Sequence, residues 1–346
     1  MADISLIMKR LKHIDFKNLF ATADRVAAET GRSKASVIAD IFRCYNRHGA
    51  GWVDYETFGM YNMTEAERAK VLTIARNSAM VRKLNDMSYA HIFDDKAEFN
   101  EVFAKYVRRD WLRLNGENRE AFYAFLADRE LFMAKPLDLS CGKGIEKVYR
   151  NADGLWYNKE LAPCTQEALY DWLMQTRKFL VEEVVIQSEE MNRISPCAVN
   201  TVRLITVIVG DEVRVAAGCF RMGREGMDVD NFNHGGISTV FDIETGVILC
   251  EAYDKMRNRY PQVPETGVTL KGLQLPRWDE IIATVKEAAW VVPQIRYVGW
   301  DVCISDKYGV SLIEGNSYPG QDLSQSPEYE SGTYAAFQKA CPELNL

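Results

Sequence analysis

The order of apolar and polar positions splits the chain into a helical first part and a strand-rich second part. In residues 1–45, Ile4, Leu6, Ile7, Leu11, Ile14 and Leu19 recur at helical spacing, with Lys9, Arg10, Lys12 and Lys17 between them. Such a basic amphipathic stretch fits a helix on an anionic membrane or, more commonly, a helix packed on its own protein. Ser33 is placed to cap a second helix running through Cys44, and a break follows at residues 45–51. Residues 54–84 read as helical again, with Thr64 and Glu67 spaced as a capping box. After the step Asp94-Asp95-Lys96 a helix is expected over residues 97–114. Lys96 opens that helix, where the positive end of the helix dipole disfavours a cation. It is either a surface lysine or one that meets an anionic ligand.

At about residue 130 the spacing shortens to that of strands. Residues 131–136 read as a buried strand ending at Pro136, and residues 146–150 as another. The loop between them carries Gly142, Lys143 and Gly144. Strand, glycine loop, strand differs from the strand, loop, helix of a P-loop, and G-x-x-x-x-G-K-[ST] is absent. The glycines would still let backbone N–H groups approach phosphate oxygens. Lys135 lies inside a strand, so it either snorkels to solvent or pairs with an anion. A helix is expected over 165–176, then an apolar strand over 179–187 interrupted by Glu182 and Glu183. Residues 199–209 and 213–220 form an expected hairpin around Gly210-Asp211, with Arg203 in its first strand. A polar loop at 230–236, a hairpin over 238–253, a Pro- and Gly-rich loop at 254–275 and a helix over 276–290 follow.

The last hairpin carries the sharpest chemical signal. Residues 297–304 alternate and 310–313 are apolar, with a polar turn between. Taking 306–309 as the loop pairs Ser305 with Val310 and sets Asp301 opposite Glu314, while alternation places Asn316 on the face of Glu314. Facing carboxylates repel, and two carboxylates with an amide oxygen suit magnesium. The other reading is a solvated hairpin rim.

Composition narrows the classes. The chain has 346 residues, 47% hydrophobic and 26% charged, enough for a large core and two or more lobes. A net charge of −7 argues against a nucleic-acid partner. Residues 1–90 hold 14 Lys and Arg against 10 Asp and Glu, a balance of +4 that leaves −11 for the rest. Eight cysteines without a C-x-x-C pair, and only four histidines, speak against zinc and for reduced thiols in the cytoplasm. No apolar run approaches the roughly 20 residues of a membrane span, and no secretory signal pattern opens the chain.

The ordered set Asp54-Tyr55, Glu67-Arg68, Val199-Asn200-Thr201-Val202-Arg203, Asp230-Asn231, Gly235-Gly236, Gly299-Trp300-Asp301 and Leu312-Ile313-Glu314-Gly315-Asn316 resembles the ATP-grasp superfamily, and within it the sugar-transfer-associated ATP-grasp family. The resemblance implies an α+β fold, with two mostly antiparallel lobes clamping ATP after an N-terminal helical region. The expected divisions are 1–90 for that region, 91–186 for the small lobe and 187–346 for the large lobe. It implies that Lys96 and Lys135 contact phosphates and that Ser140, Gly142, Lys143 and Gly144 close over them. Glu182, Glu183 and Val185 would form the adenine hinge, and Glu189 would take the ribose, with Glu190 as its rival. Asp301, Glu314 and Asn316 would hold Mg2+, and Arg203 would face the γ-phosphate or a substrate carboxylate. Related sequences often have a histidine where this chain has Val263.

The implied activity is an ATP-dependent carboxylate–amine ligase working through an acylphosphate, with a small-molecule carboxylate and an amine or sugar-linked acceptor as partners. The pathway would be one of glycan or cell-envelope assembly, with the N-terminal helices docking a glycosyltransferase or a membrane surface. Two alternatives stand beside it: a phosphotransferase, and a nucleotide-binding accessory protein of glycan assembly. His234 is read as a loop histidine or as a base beside the substrate, and Cys141 as incidental.

Overall fold

The computed structural model describes residues 15–139, 142–232, 235–322, 325 and 333–344. Ser140, Cys141, His234 and the basic pattern before Asp15 lie outside the described residues.

The helical first part is built from short, well-capped pieces. Helix Phe16–Thr30 is capped by Asp15 and closed by Gly31 in the left-handed region (φ 70°). Helix Lys34–His48 starts at Ser33, as its sequence predicts. The stretch 54–84 is three α-helices, Trp52–Thr57, Glu65–Ala69 and Ile74–Leu84, with a 3-10 turn at Met60–Asn62 between the first two. Thr64 and Thr73 each adopt extended backbone and accept an N-cap hydrogen bond, which restarts the helix twice. The capping box is present, with Glu67 N–H donating to Thr64 Oγ1 at 3.3 Å and Thr64 N–H donating to Glu67 Oε2 at 2.6 Å. Leu19, Val26, Val37, Ile41, Tyr55 and Met60 form the core of this region.

The expected helix over 97–114 also ends early. It is Lys96–Val102 followed by Ala104–Val107, and Arg108 then turns the chain with a left-handed backbone (φ 62°). Five strands follow: β1 (Trp111–Arg113), β2 (Leu131–Lys135), β3 (Glu146–Arg150), β4 (Trp156–Tyr157) and β5 (Leu180–Glu182). They form an antiparallel sheet ordered β1-β5-β2-β3-β4. The apolar run 179–187 contributes only Leu180–Glu182 to that sheet. Its remainder crosses to the second sheet, where Gln187 bridges Ser305.

The second sheet has seven strands: β6 (Thr201–Val209), β7 (Glu212–Met222), β8 (Ile237–Thr239), β9 (Ala252–Tyr253), β10 (Arg259–Tyr260), β11 (Tyr297–Ser305) and β12 (Gly309–Asn316). Their order is β10-β9-β8-β7-β6-β11-β12, with every pair antiparallel. The hairpin expected over 238–253 is shorter than its apolar pattern: β8 and β9 meet only at Ser238 and Tyr253, with a bridge between Phe241 and Ile248 nearer the turn.

Alternation gives the large sheet two different faces. On one, Val202, Leu204, Phe220, Trp300 and Leu312 pack with Ile281, Val285 and Ala288 of helix Trp278–Ala289. On the other, Ile205, Val207 and Tyr297 meet Met80 and Leu84 of helix Ile74–Leu84 and Phe337 of the last helix. Farther along that second face the positions turn polar at Thr201, Arg203, Arg221 and Asp301.

The last hairpin differs from its expected register in an instructive way. Ser305 pairs with Gly309, not Val310, so the loop is one residue shorter. Asp301 nevertheless faces Glu314, because the register shifts between Asp301 and Val302 and Ile313 is left without a partner on β11. The bulge compensates for the shorter loop.

Among the described residues no helix is long and apolar enough to cross a membrane. Among the described residues, Cys44, Cys164, Cys197, Cys219, Cys303 and Cys341 are thiols outside any disulfide.

Candidate active site

A cleft that opens to solvent lies between the two sheets. The small sheet lends it Met133, Lys135, Lys147 and Glu182, and the large sheet Thr201, Ile313 and Glu314. Lys96 enters from the start of its helix, and Glu183 to Val185 form the wall where the chain crosses between sheets.

Each cation has a local reason for its position. Lys96 is the first residue of its helix because the Asp95 carboxylate accepts from Ala97 N–H at 2.9 Å and Glu98 N–H at 3.1 Å. Its ammonium donates to the carbonyl of Leu139. Burial pulls its pKa down, Glu314 opposes that, and Lys135 adds to it. Lys135 ends β2 and donates to Glu182, with 12% of its side chain exposed.

Glu182 is buried and heavily partnered. It accepts from Asn100 Nδ2 at 2.6 Å and Arg109 Nη2 at 3.1 Å as well as from Lys135. Burial alone would push its carboxyl up; Arg109 and Lys135 more than offset this and hold it well below the ordinary carboxylate range. Its carboxylate is therefore committed to cations, a role that the resemblance to a hinge did not include.

Glu314 lines the opposite wall, and behind it the buried Asp301 accepts a fork from Arg203 through Nε and Nη2, the latter at 2.7 Å, and a bond from Arg221 Nη1 at 3.1 Å. Arg221 also donates to Asp230 at 2.9 Å, and Thr201 Oγ1 donates to Asp230. Burial raises Asp301, but Arg203 and Arg221 leave it lowered, whereas burial and the Asp301 charge raise Glu314. Asn316 lies two residues beyond Glu314 and donates to Gly299 O at 3.4 Å. The donor set Asp301, Glu314 and Asn316 consists of hard oxygens, and burial and Asp301 leave the Glu314 carboxyl raised despite Arg203, Lys96 and Arg221. These residues fit a magnesium ion.

The remaining expected site residues divide. Gly142 and Gly144 both have left-handed backbone (φ 70° and 69°), and a Cβ on Gly144 would stand 2.9 Å from Pro136. The carbonyl of Gly144 accepts from Lys178 at 3.2 Å, which anchors the loop, while Lys143 is exposed. Val185 lines the cleft, and its backbone N–H has no partner among the described residues. Glu183 N–H donates to Asp110 O at 2.8 Å, and the Glu183 carboxylate is taken by Lys307 at 2.6 Å and by Tyr308. Glu189 is not brought into the cleft: its side chain is 75% exposed and pairs with Arg193 at 2.6 Å.

The sequence reading missed Arg109, Asn100, Arg221 and Lys178. Arg109 and Asn100 fell inside an expected helix, and nothing in local spacing ties them to Glu182. Arg221 had one available signal: it directly follows the expected partner strand of Arg203 (213–220), and the observed strand extends to include it.

No curated protein matches the chain. Solved structures with similar folds include D-cycloserine synthetase DcsG (12% identity, covering 75% of this chain and 73% of that one, TM-score 0.41). Others are VanG D-Ala:D-Ser ligase from Enterococcus faecalis (13%, 73% and 62%, 0.40) and the ADP complex of purK, N5-carboxyaminoimidazole ribonucleotide synthetase (10%, 72% and 52%, 0.42). The chain thus spans 62% and 52% of the latter two. The model of one family matches residues 75–335, from helix Ile74–Leu84 past the Asp301–Glu314 hairpin. The chain belongs to the sugar-transfer associated ATP-grasp family and has an ATP-grasp fold, mixed helices and antiparallel sheets preceded by an N-terminal helical region.

Proposed function

We propose that the chain is an ATP-dependent, Mg2+-dependent ligase that activates a carboxylate as an acylphosphate and passes the acyl group to an amine or a similar nucleophile. The observation that carries this reading is one cleft lined by Lys96 and Lys135 on one wall and by Glu314 on the other, with the buried Asp301, held by Arg203, paired to Glu314 across the hairpin. Cations opposite a metal-fitting carboxylate pair suit a triphosphate, where positioning and charge neutralisation carry phosphoryl transfer.

In this reading Lys96 and Lys135 hold phosphate oxygens, and the loop bearing Ser140, Gly142, Lys143 and Gly144 covers them. The free N–H of Val185 takes the adenine edge. Asp301, Glu314 and Asn316 hold Mg2+, which when bound offsets phosphate charge. Arg203 orients Asp301 and faces the transferring group. The working division is 1–90 for the helical region, 91–186 for the small lobe and 187–346 for the large lobe. Placement in a glycan or cell-envelope pathway rests on the family's description alone.

The test is an ADP-release screen across amino acids and amino sugars, with mass spectrometry of the products. The ligase reading expects ADP together with an amide or a similar condensed product. ADP with a stable phosphorylated product and no condensation would make the protein a phosphotransferase instead. Undiminished turnover in both Glu314→Ala and Lys135→Ala would remove the ATP site from this cleft.

A further inference from the structure

Arg109 stands where the two walls of the cleft meet. It is buried, at 5% exposure, and follows Arg108, whose left-handed backbone turns the chain toward the cleft. Its guanidinium touches both sheets. Toward the small sheet, Nη2 donates to Glu182 Oε1 at 3.1 Å and to Asn100 Oδ1 at 3.3 Å. Toward the large sheet, Nη1 donates to Leu312 O at 2.7 Å and Nη2 to Ile313 O at 3.1 Å.

Those two carbonyls mark the irregularity in β12. Ile313 is the residue that β11 leaves unpaired, and the shift it introduces sets Glu314 opposite Asp301. Without the bulge, a strict ladder from Ser305–Gly309 would bring Ile313 opposite Asp301 and turn Glu314 to the other face. Arg109 thus occupies the backbone groups at the bulge. Through Glu182 the same guanidinium reaches Lys135, because Glu182 accepts from both.

We propose that Arg109 is a positioning residue that couples the phosphate lysine of one wall to the metal carboxylate of the other. It holds the bulge that aims Glu314, and it holds the Glu182 carboxylate that aims Lys135. Planar fork geometry is required, since four acceptor groups on three elements are met from one guanidinium. The inference rests on the ATP-site reading given above.

The test compares wild type with Arg109→Lys and Arg109→Met. Folding is checked by thermal melting, ATP binding by calorimetry with Mg2+ varied, and the bulge by amide exchange at residues 310–316. Wild type must first bind ATP with Mg2+; failure there sinks the ATP-site reading. If it does bind, Arg109→Lys is expected to stay folded and to raise the half-saturating Mg2+ concentration by about 10- to 100-fold, the usual cost of losing a group that orients a metal ligand. Faster exchange confined to residues 310–316 is expected alongside it. Arg109→Lys with wild-type Mg2+ dependence and wild-type exchange overturns the inference. Should Arg109→Lys unfold, Asn100→Ala supplies the second reading: it loosens the Glu182 cluster but leaves the Arg109 bonds to β12. It is expected to weaken ATP binding while exchange at 310–316 stays at the wild-type rate, and accelerated exchange there overturns the inference.

Discussion

Two buried carboxylate clusters in this protein use the same parts for different ends. In the helical first part, Asp40 accepts from Tyr55 at 2.7 Å and from Arg68 at 2.8 and 3.1 Å, and Arg68 also donates to Met60 O at 2.8 Å. Between the sheets, Glu182 accepts from Asn100, Arg109 and Lys135, and Arg109 also donates to two backbone carbonyls. Each has a buried acid held by an arginine that is itself anchored on backbone. The difference lies in what faces outward. The Asp40 cluster meets the core of its own helices, whereas the Glu182 cluster presents Lys135 to a cleft shared with Glu314. A buried ion cluster is therefore no sign of a site by itself; a charge left facing a cavity is.

The largest effect expected from that contrast is on turnover. Lys135→Ala and Glu314→Ala should each lower ATP turnover by about 100-fold or more while melting stays near wild type. ADP release and a thermal melt on the same samples check this. Asp40→Ala should do the reverse. Leaving the buried Arg68 with only the half-exposed Glu65 as its anion is expected to cost toward the lower end of about 3–5 kcal/mol, read by urea unfolding, with turnover per folded molecule unchanged. Loss of turnover in folded Asp40→Ala protein would erase the distinction between the clusters.

Acid and neutral pH should separate two carboxylates of the first part. Burial raises Asp40, but Arg68 and Tyr55 bring it down to about 2, so its contribution is present above its unfolded value and is lost as pH falls from about 4 toward 2. Asp54 has the opposite sign. Burial pushes it up to about 6, even though Ile74 and Gly51 N–H groups bond to it. Its favourable contribution is complete below about 4 and is lost as pH rises through 6. Asp54→Asn is therefore expected to gain on wild type across that window, on the order of 2–3 kcal/mol by pH 7, measured as melting temperature against pH. A constant difference between the two proteins from pH 4 to 7 would contradict this.

The smallest effect is expected at Glu189. Its exposed pair with Arg193 contributes little, and its place outside the cleft lining predicts an unchanged ATP affinity for Glu189→Ala. Weakened ATP binding in that variant would support the ribose role that the sequence resemblance implied.

How far the site could be read in advance varied with the range of the interaction. The capping box at Thr64 and the start of the Lys96 helix involve neighbours three residues apart or fewer, and both are as read. The facing of Asp301 and Glu314 was also legible, but through a register one residue off, corrected by a bulge that no local pattern announced. The strand expected over 179–187 was too long. Its apolar residues past Glu182 cross between sheets, and apolar composition does not distinguish a ladder from a buried crossing.

The sequence by itself determined where the strands alternate, which helices have caps, and the types of groups on offer: two lysines, a glycine loop and an acid pair on the final hairpin. Those features follow from spacing of two or four residues and from side-chain chemistry. The tertiary structure decided which groups meet. Lys135 points to Glu182 across 47 residues, Arg109 reaches β12 across 203, and Asp301 draws one arginine from the neighbouring β6 and another from β7 beyond it. Those contacts depend on sheet order and on the placing of one sheet against the other, and the balance of burial against ion pairing that sets each charge exists only after the sheets have packed.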